Sequence, residues 1–135
     1  IKMMKTAIYD DADNITFIKK PPLEIIKYAI EQEWQVIRFI KNPSKEIIKL
    51  AIEESSGYAA SPRYIKNLPL WAELLAIDIS SGDIIADLKH PSEKAMMRAL
   101  RYDLDNVVFL DRKMTPKVKA FYKKLKKEWM SDELG

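Results

Sequence analysis

The side chains that could carry out chemistry are few, and their spacing does not assemble a reaction centre. The chain holds no cysteine, which removes thiolate nucleophiles, thiolate metal sites and disulfides together. Its one histidine, His90, stands directly before Pro91. No His-x3-His pair and no acidic ladder of metal-ligand spacing accompanies it, so His90 is expected to serve a helix start. Asp10, Asp11 and Asp13 resemble the opening of a calcium loop, but its central glycine and closing glutamate are missing, and a solvated acidic turn is expected. Three glycines cannot build a phosphate-cradling loop, and no dinucleotide fingerprint or nucleophile elbow is present. Glu53 and Glu54 are neighbours at a helix exit, with no sign of the two unlike environments that an acid and base pair requires. The expectation is a non-enzyme with no catalytic residue, no metal and no cofactor.

Two surfaces remain as candidates for binding. The first is a lysine face on the last helix: Lys119, Lys123, Lys124, Lys126 and Lys127. It reads first as the wet side that a terminal capping unit must keep, and alternatively as a contact for nucleic-acid phosphates. The second lies mid-chain. Trp71 occupies a slot that in similar stretches holds Glu24, Glu46 and Lys94. A large aromatic there either fills an irregularity, because Leu68 and Pro69 swap the usual order, or stands exposed as an anchor. Beside it comes an inserted loop carrying Tyr58, Arg63 and Tyr64. Tyr, Trp and Arg are the usual interface anchors, so Tyr58, Arg63, Tyr64 and Trp71 form the candidate site for a protein partner.

The elements that must position these residues follow from an internal repetition. The stretch Phe39-Ile40-Lys41-Asn42-Pro43-Ser44-Lys45-Glu46-Ile47-Ile48 matches Phe17-Ile18-Lys19-Lys20-Pro21-Pro22-Leu23-Glu24-Ile25-Ile26, and again Leu88-Lys89-His90-Pro91-Ser92-Glu93-Lys94-Ala95-Met96-Met97. A looser copy runs over 64–77. The alanines Ala29, Ala51, Ala76 and Ala99 are spaced by 22, 25 and 23 residues, the mark of a helical array. Proline at a first helical position suits a helix start, with Asn42 and Thr115 as caps before Pro43 and Pro116, and Lys20 and His90 in the same slot with poorer capping chemistry. Ile47, Ile48, Leu50, Ala51 and Ile52 cover too much of a helix circumference for one wet side, so neighbours on two sides are expected.

These patterns predict an all-α fold: a curved array of four to five short helical-hairpin repeats with a C-terminal amphipathic capping helix. The units are 17–38, 39–63, 64–86 and 87–109, with second helices over 34–40, 84–88 and 104–110. The capping helix covers 116–130, with Val118, Phe121, Tyr122, Leu125 and Trp129 on its sealing face. Residues 1–16 form a lead-in, 1–14 irregular or partly extended, and 15–19 a short helical turn. Loops are expected at 55–63, with room for one turn of helix, and at 80–83, and residues 131–135 as a frayed end.

Bulk composition agrees. The 135 residues are 47% hydrophobic and 32% charged, enough for one core without staples. Net charge is +3 and the basic excess belongs to the last helix. No run of 18 apolar residues exists and the N-terminus shows no secretory core. No membrane association and a cytoplasmic setting are expected, with the lack of cysteine pointing weakly the same way.

The pattern Asn-Pro-Ser-x-Glu-Ile-x-x-x-Ala-Ile, as at 42–52, followed in the repeat by a short helix that closes on aromatic-Ile-Lys-Asn-Pro, as at 39–43, resembles a repeat domain of unknown function found in tandem in bacterial, phage and large-virus proteins. The likeness is close over 17–51, fair over 88–110 and weak over 64–87. It implies a curved all-α array with a binding role, often host-directed, and offers no catalytic residue to transfer. The 17 isoleucines and 18 lysines fit an AT-rich genome of the kind many phages have. The expectation drawn from this is a phage or mobile-element protein that binds and inhibits a host defence protein, with nucleic-acid binding through the terminal lysines as the alternative.

Overall fold

Short α-helices alternate with shorter 3-10 helices along the whole chain. The computed structural model describes residues 1–134, and no β-strand occurs among them. The order is α1 (Lys2–Asp10), η1 (Ala12–Phe17), α2 (Leu23–Gln32), η2 (Trp34–Phe39), α3 (Lys45–Glu54), η3 (Tyr58–Ala60), α4 (Leu70–Ile79), η4 (Asp83–Asp87), α5 (Glu93–Tyr102), η5 (Leu104–Phe109) and α6 (Pro116–Leu134), where η marks a 3-10 helix. Each α-helix packs on the next, and η1 on η2, η2 on η3 and η4 on η5. The α-helices thus make one layer and the 3-10 helices a second.

One core runs between the layers. Ala29, Ala51, Ala76 and Ala99 are all fully buried, and the methyl side chain lets neighbouring backbones approach. Their carbonyls have a common role too. Each accepts the backbone N–H that ends its helix, from Glu33, Ser55, Ser80 and Asp103, and Ala7 accepts from Asp11 in the same way. Ile25, Ile30, Ile37, Ile47, Ile52, Ile77, Ile84, Ile85 and Leu100 fill the space around them. At about 1.5–3 kcal/mol for each fully buried aliphatic side chain, this isoleucine core is the main stabilising term.

Three expectations need correction. Residues 1–14 are not irregular: α1 occupies most of them, and Asn14 donates its side-chain amide to the Ala7 carbonyl at 2.9 Å. The helix was hard to read because only Ile8 of α1 is buried, leaving a weak apolar stripe. The prolines, secondly, mostly stand ahead of the helices. Only Pro116 takes the first helical position, with Thr115 accepting from the Val118 N–H at 3.3 Å. In α3 and α5 the cap is the serine after the proline, Ser44 accepting from Ile47 and Ser92 from Ala95. Asn42 is not a cap; with φ +52° it occupies the left-handed region, as do Lys20 and Asn67, and it turns the chain into the helix that follows. A proline next in line then fixes an extended approach to the cap. Finally, α6 continues helical through Leu134, beyond the expected 130; Gly135 of the expected frayed end lies outside the described residues. On its sealing face Val118 and Leu125 are buried and Phe121 and Tyr122 half-buried, but Trp129 is exposed, because the helix outruns the α5 face it packs on.

Candidate partner-binding site

The segment from Ser61 to Asn67 joins η3 to α4 and has no helix of its own. Its shape comes from Ser61, whose carbonyl accepts the N–H groups of Tyr64 and Ile65 at 2.9 and 3.2 Å and whose hydroxyl accepts that of Arg63 at 3.4 Å. Ile65 is buried and pins the loop to the core. That anchoring leaves Arg63 exposed and Tyr64 half-buried. The Tyr64 ring meets Trp34 of η2 edge to face, centroids 4.8 Å apart at 74°, a geometry favoured by the ring quadrupoles.

Arg63 and Tyr64 form a partition with a cleft on either side. One cleft, of about 490 Å³, runs between η2 with the approach to α3 (Ile37, Arg38, Ile40, Asn42, Pro43) and the loop (Arg63, Tyr64, Ile65, Lys66, Asn67), with Ile48 at its base. The other, of about 350 Å³, is lined by Trp34, Tyr58, Ser61, Arg63, Tyr64 and Asp87. Three of the four expected partner-binding residues, Tyr58, Arg63 and Tyr64, therefore come together, with Tyr58 43% exposed.

Trp71 does not join them. It lines neither cleft and lies half-buried in the first turn of α4, where the Lys45 ammonium stands 5.1 Å from its ring centroid. The α layer shows what its slot normally does. Lys5 of α1 pairs with Glu24 of α2 at 2.7 Å, and Lys27 of α2 pairs with Glu46 of α3. At the next step Lys49 lies 4.0 Å from Glu53 of its own helix, while a cation–π contact from Lys45 takes over at Trp71.

The remaining candidates are placed as follows. Lys119, Lys123, Lys124, Lys126 and Lys127 are exposed on α6, and Lys126 lies 5.9 Å from the Tyr122 ring centroid. Asp11 accepts the Asp13 N–H at 2.9 Å, so the acidic run starts η1. No group of His, Asp or Glu arranged to hold a metal occurs among the described residues. His90 is exposed on the approach to α5, in a cleft of about 300 Å³ shared with Glu73 and Lys89.

Several residues of the site carry no sequence motif. Arg38, Lys66, Trp34 and Asp87 line the two clefts although none stands out in the linear pattern. The nearest signal is the lengthened loop itself, since inserted chain must fold over something. Glu73 is another surprise: a buried carboxylate that accepts the Ser92 hydroxyl and, at 3.1 Å, the Ser92 N–H. Because Ser92 also accepts from Ala95 at 3.1 Å, this pair ties α4 to the start of α5, where a negative charge is favoured. Thr115 donates to Glu93 in the same style at the start of α6.

No helix among the described residues is long and apolar enough to cross a membrane. Comparison of the chain with protein-family models, curated proteins and solved structures gives no match.

Proposed function

We propose that the chain is a non-enzymatic protein-binding module, built as a curved array of five short hairpins, each an α-helix followed by a 3-10 helix, and closed by α6. The partition of Arg63 and Tyr64 between two clefts carries this reading: a tyrosine braced by Trp34 and an exposed arginine stand side by side on a pinned loop. Rigid aromatic and arginine side chains contribute most to interfaces because little freedom is lost on binding. Resemblance to the tandem repeat domain supports a protein encoded by a phage or mobile element, with a host defence protein as the target it inhibits, and the chain without cysteine suits a cytoplasmic setting. Replacing Tyr58, Arg63 and Tyr64 together by Ala abolishes partner capture while circular dichroism stays helical. Undiminished capture would remove this surface.

A second reading has its own observation. Among the residues whose side chains are described, 1–131, no carboxylate lies within ion-pair distance of Lys119, Lys123, Lys124, Lys126 or Lys127, which suits contact with phosphates. It requires a salt-sensitive gel shift that is lost when Lys123, Lys124 and Lys127 become Glu, and the absence of any shift near physiological salt would exclude it.

A further inference from the structure

We infer that the cleft between η2 and the Ser61–Asn67 loop takes an acidic peptide segment, one in which a carboxylate side chain stands next to an aliphatic one. The inference rests on the protein-binding function proposed above and specifies the chemistry of its ligand.

Charge makes the first argument. Arg38, Arg63 and Lys66 line the cleft, and no Asp or Glu does. All three are exposed, and among the described residues none is within ion-pair distance of a carboxylate. Elsewhere the chain pairs cations across helices, as at Lys5 with Glu24, Lys27 with Glu46 and Arg98 with Asp78. Two guanidinium forks and an ammonium around one concavity match carboxylates, which guanidinium binds through two parallel hydrogen bonds. The Arg38 guanidinium is stacked 4.6 Å from the Phe39 centroid, so part of its freedom is already lost before a ligand arrives.

Shape makes the second. Half-buried Ile40 and Pro43, backed by the buried Ile37, Ile48 and Ile65, supply a small apolar patch in the lining, which a bare anion would leave unused and one aliphatic side chain would cover. A volume of about 490 Å³ admits a few side chains and not a duplex. Single-stranded nucleic acid binds by stacking bases on open aromatic faces, and the one aromatic lining this cleft is Tyr64, already packed against Trp34.

The test is a display selection of random peptides on the full-length protein, with binding of the selected peptides measured by fluorescence polarisation. The measurements are repeated on Arg38→Gln/Arg63→Gln/Lys66→Gln, on Tyr58→Ala/Arg63→Ala/Tyr64→Ala, and with an oligothymidylate as competitor. Since the substituted cations are exposed, circular dichroism of the Gln variant should match that of the native chain. The expected result is peptides enriched in Asp or Glu beside Leu, Ile or Val, whose affinity falls about tenfold or more in the Gln variant and resists the oligothymidylate. Selected peptides without acidic enrichment that still depend on Tyr58, Arg63 and Tyr64 would overturn the acidic ligand and leave the binding surface standing. Failure to select any peptide that depends on those residues would overturn both, and displacement by oligothymidylate would replace the peptide with a nucleic acid.

Discussion

Of the five turns from an α-helix into a 3-10 helix, the first and last bend by different chemistry from the third and fourth. In α1–η1 and α5–η5 the connecting residue is an extended aspartate, Asp11 or Asp103, whose carboxylate accepts the N–H two residues on at 2.9 Å. Asn14 and Asn106 then donate to the carbonyls of Ala7 and Ala99, each at 2.9 Å. In α3–η3 and α4–η4 the sequence is Ser-Ser-Gly. Ser55 and Ser80 accept from Ala59 and Ile84 at 2.8 and 3.1 Å, while Gly57 and Gly82, at φ +98° and +91°, donate back to Ile52 and Ile77 at 2.8 Å. With Ser56 and Ser81 left-handed before them, at φ +56° and +53°, the bond donated back by each glycine completes a Schellman closure. The first and last turns bend at an extended aspartate held by side-chain bonds, whereas the third and fourth bend through two successive left-handed residues, with a serine hydroxyl closing the turn. The second solution sets the glycines tightly against the next unit: a Cβ on Gly57 would stand 2.9 Å from the Ala76 carbonyl oxygen, and one on Gly82 2.8 Å from the Asn106 amide and 3.3 Å from the Ala99 carbonyl oxygen. After the first of these turns comes the extra chain of the Ser61–Asn67 loop.

The comparison can be broken most forcefully at the glycines. Gly57→Ala meets both the backbone conformation and the neighbouring carbonyl, and urea denaturation should show a loss of about 2–4 kcal/mol. A loss under about 0.5 kcal/mol would mean that the close approach is absent. Asn106→Ala should cost less, about 1.5 kcal/mol, by removing a buried hydrogen bond to the Ala99 carbonyl, which keeps its other bond from the Asp103 N–H. The same change at half-buried Asn14 should cost a fraction of that, because water can replace the amide. Asp103→Ala removes an exposed turn bond and is expected to cost about 1 kcal/mol. Equal costs at Gly57 and Asp103 would erase the distinction between the two turns.

The smallest effect belongs to the ion pairs of the α layer. The hydrogen bond from Lys5, then its charge, holds the Glu24 carboxyl below its ordinary 4.5, and Glu24 in turn raises Lys5 above 10.5. The carboxylate's contribution is present above 4.5 and is lost as pH falls through the lowered native value; that of Lys5 is present below 10.5 and is lost as pH rises through the raised one. Both side chains are solvated, so stability should change little and added salt should weaken the pair. NMR titration of the Glu24 carboxyl should give a midpoint below 4.5 that returns toward it in Lys5→Met.

The helices and their core were legible because periodic isoleucine and alanine spacing reports burial directly, as Ala29, Ala51, Ala76 and Ala99 show. Hairpin α1–η1 was hidden for the converse reason: α1 buries one residue, and what defines η1 is the Asp11 and Asn14 turn, repeated at Asp103 and Asn106 in a stretch far along the chain. The proline positions misled because an Asn-Pro pair suits both a cap and a left-handed turn, and only the serine that follows distinguishes them. Trp71 was expected beside the inserted loop but lies in the first turn of α4 against Lys45, since register gives a face of a helix but not which loop folds beside it. Arg38 and Lys66 meet only when the loop closes, so their partnership leaves no linear trace.

The central claim is that a partner is held at the irregular middle of the molecule and not along its regular ends. Site-specific photocrosslinking in cells that make the protein tests it most directly, with a photoreactive phenylalanine analogue placed at Tyr58, at Tyr9 on α1, or at Lys123 on α6. The account predicts a discrete protein adduct at Tyr58 that survives nuclease treatment, and none at the other two. An adduct confined to Tyr9, or a nuclease-sensitive one at Lys123, would contradict it.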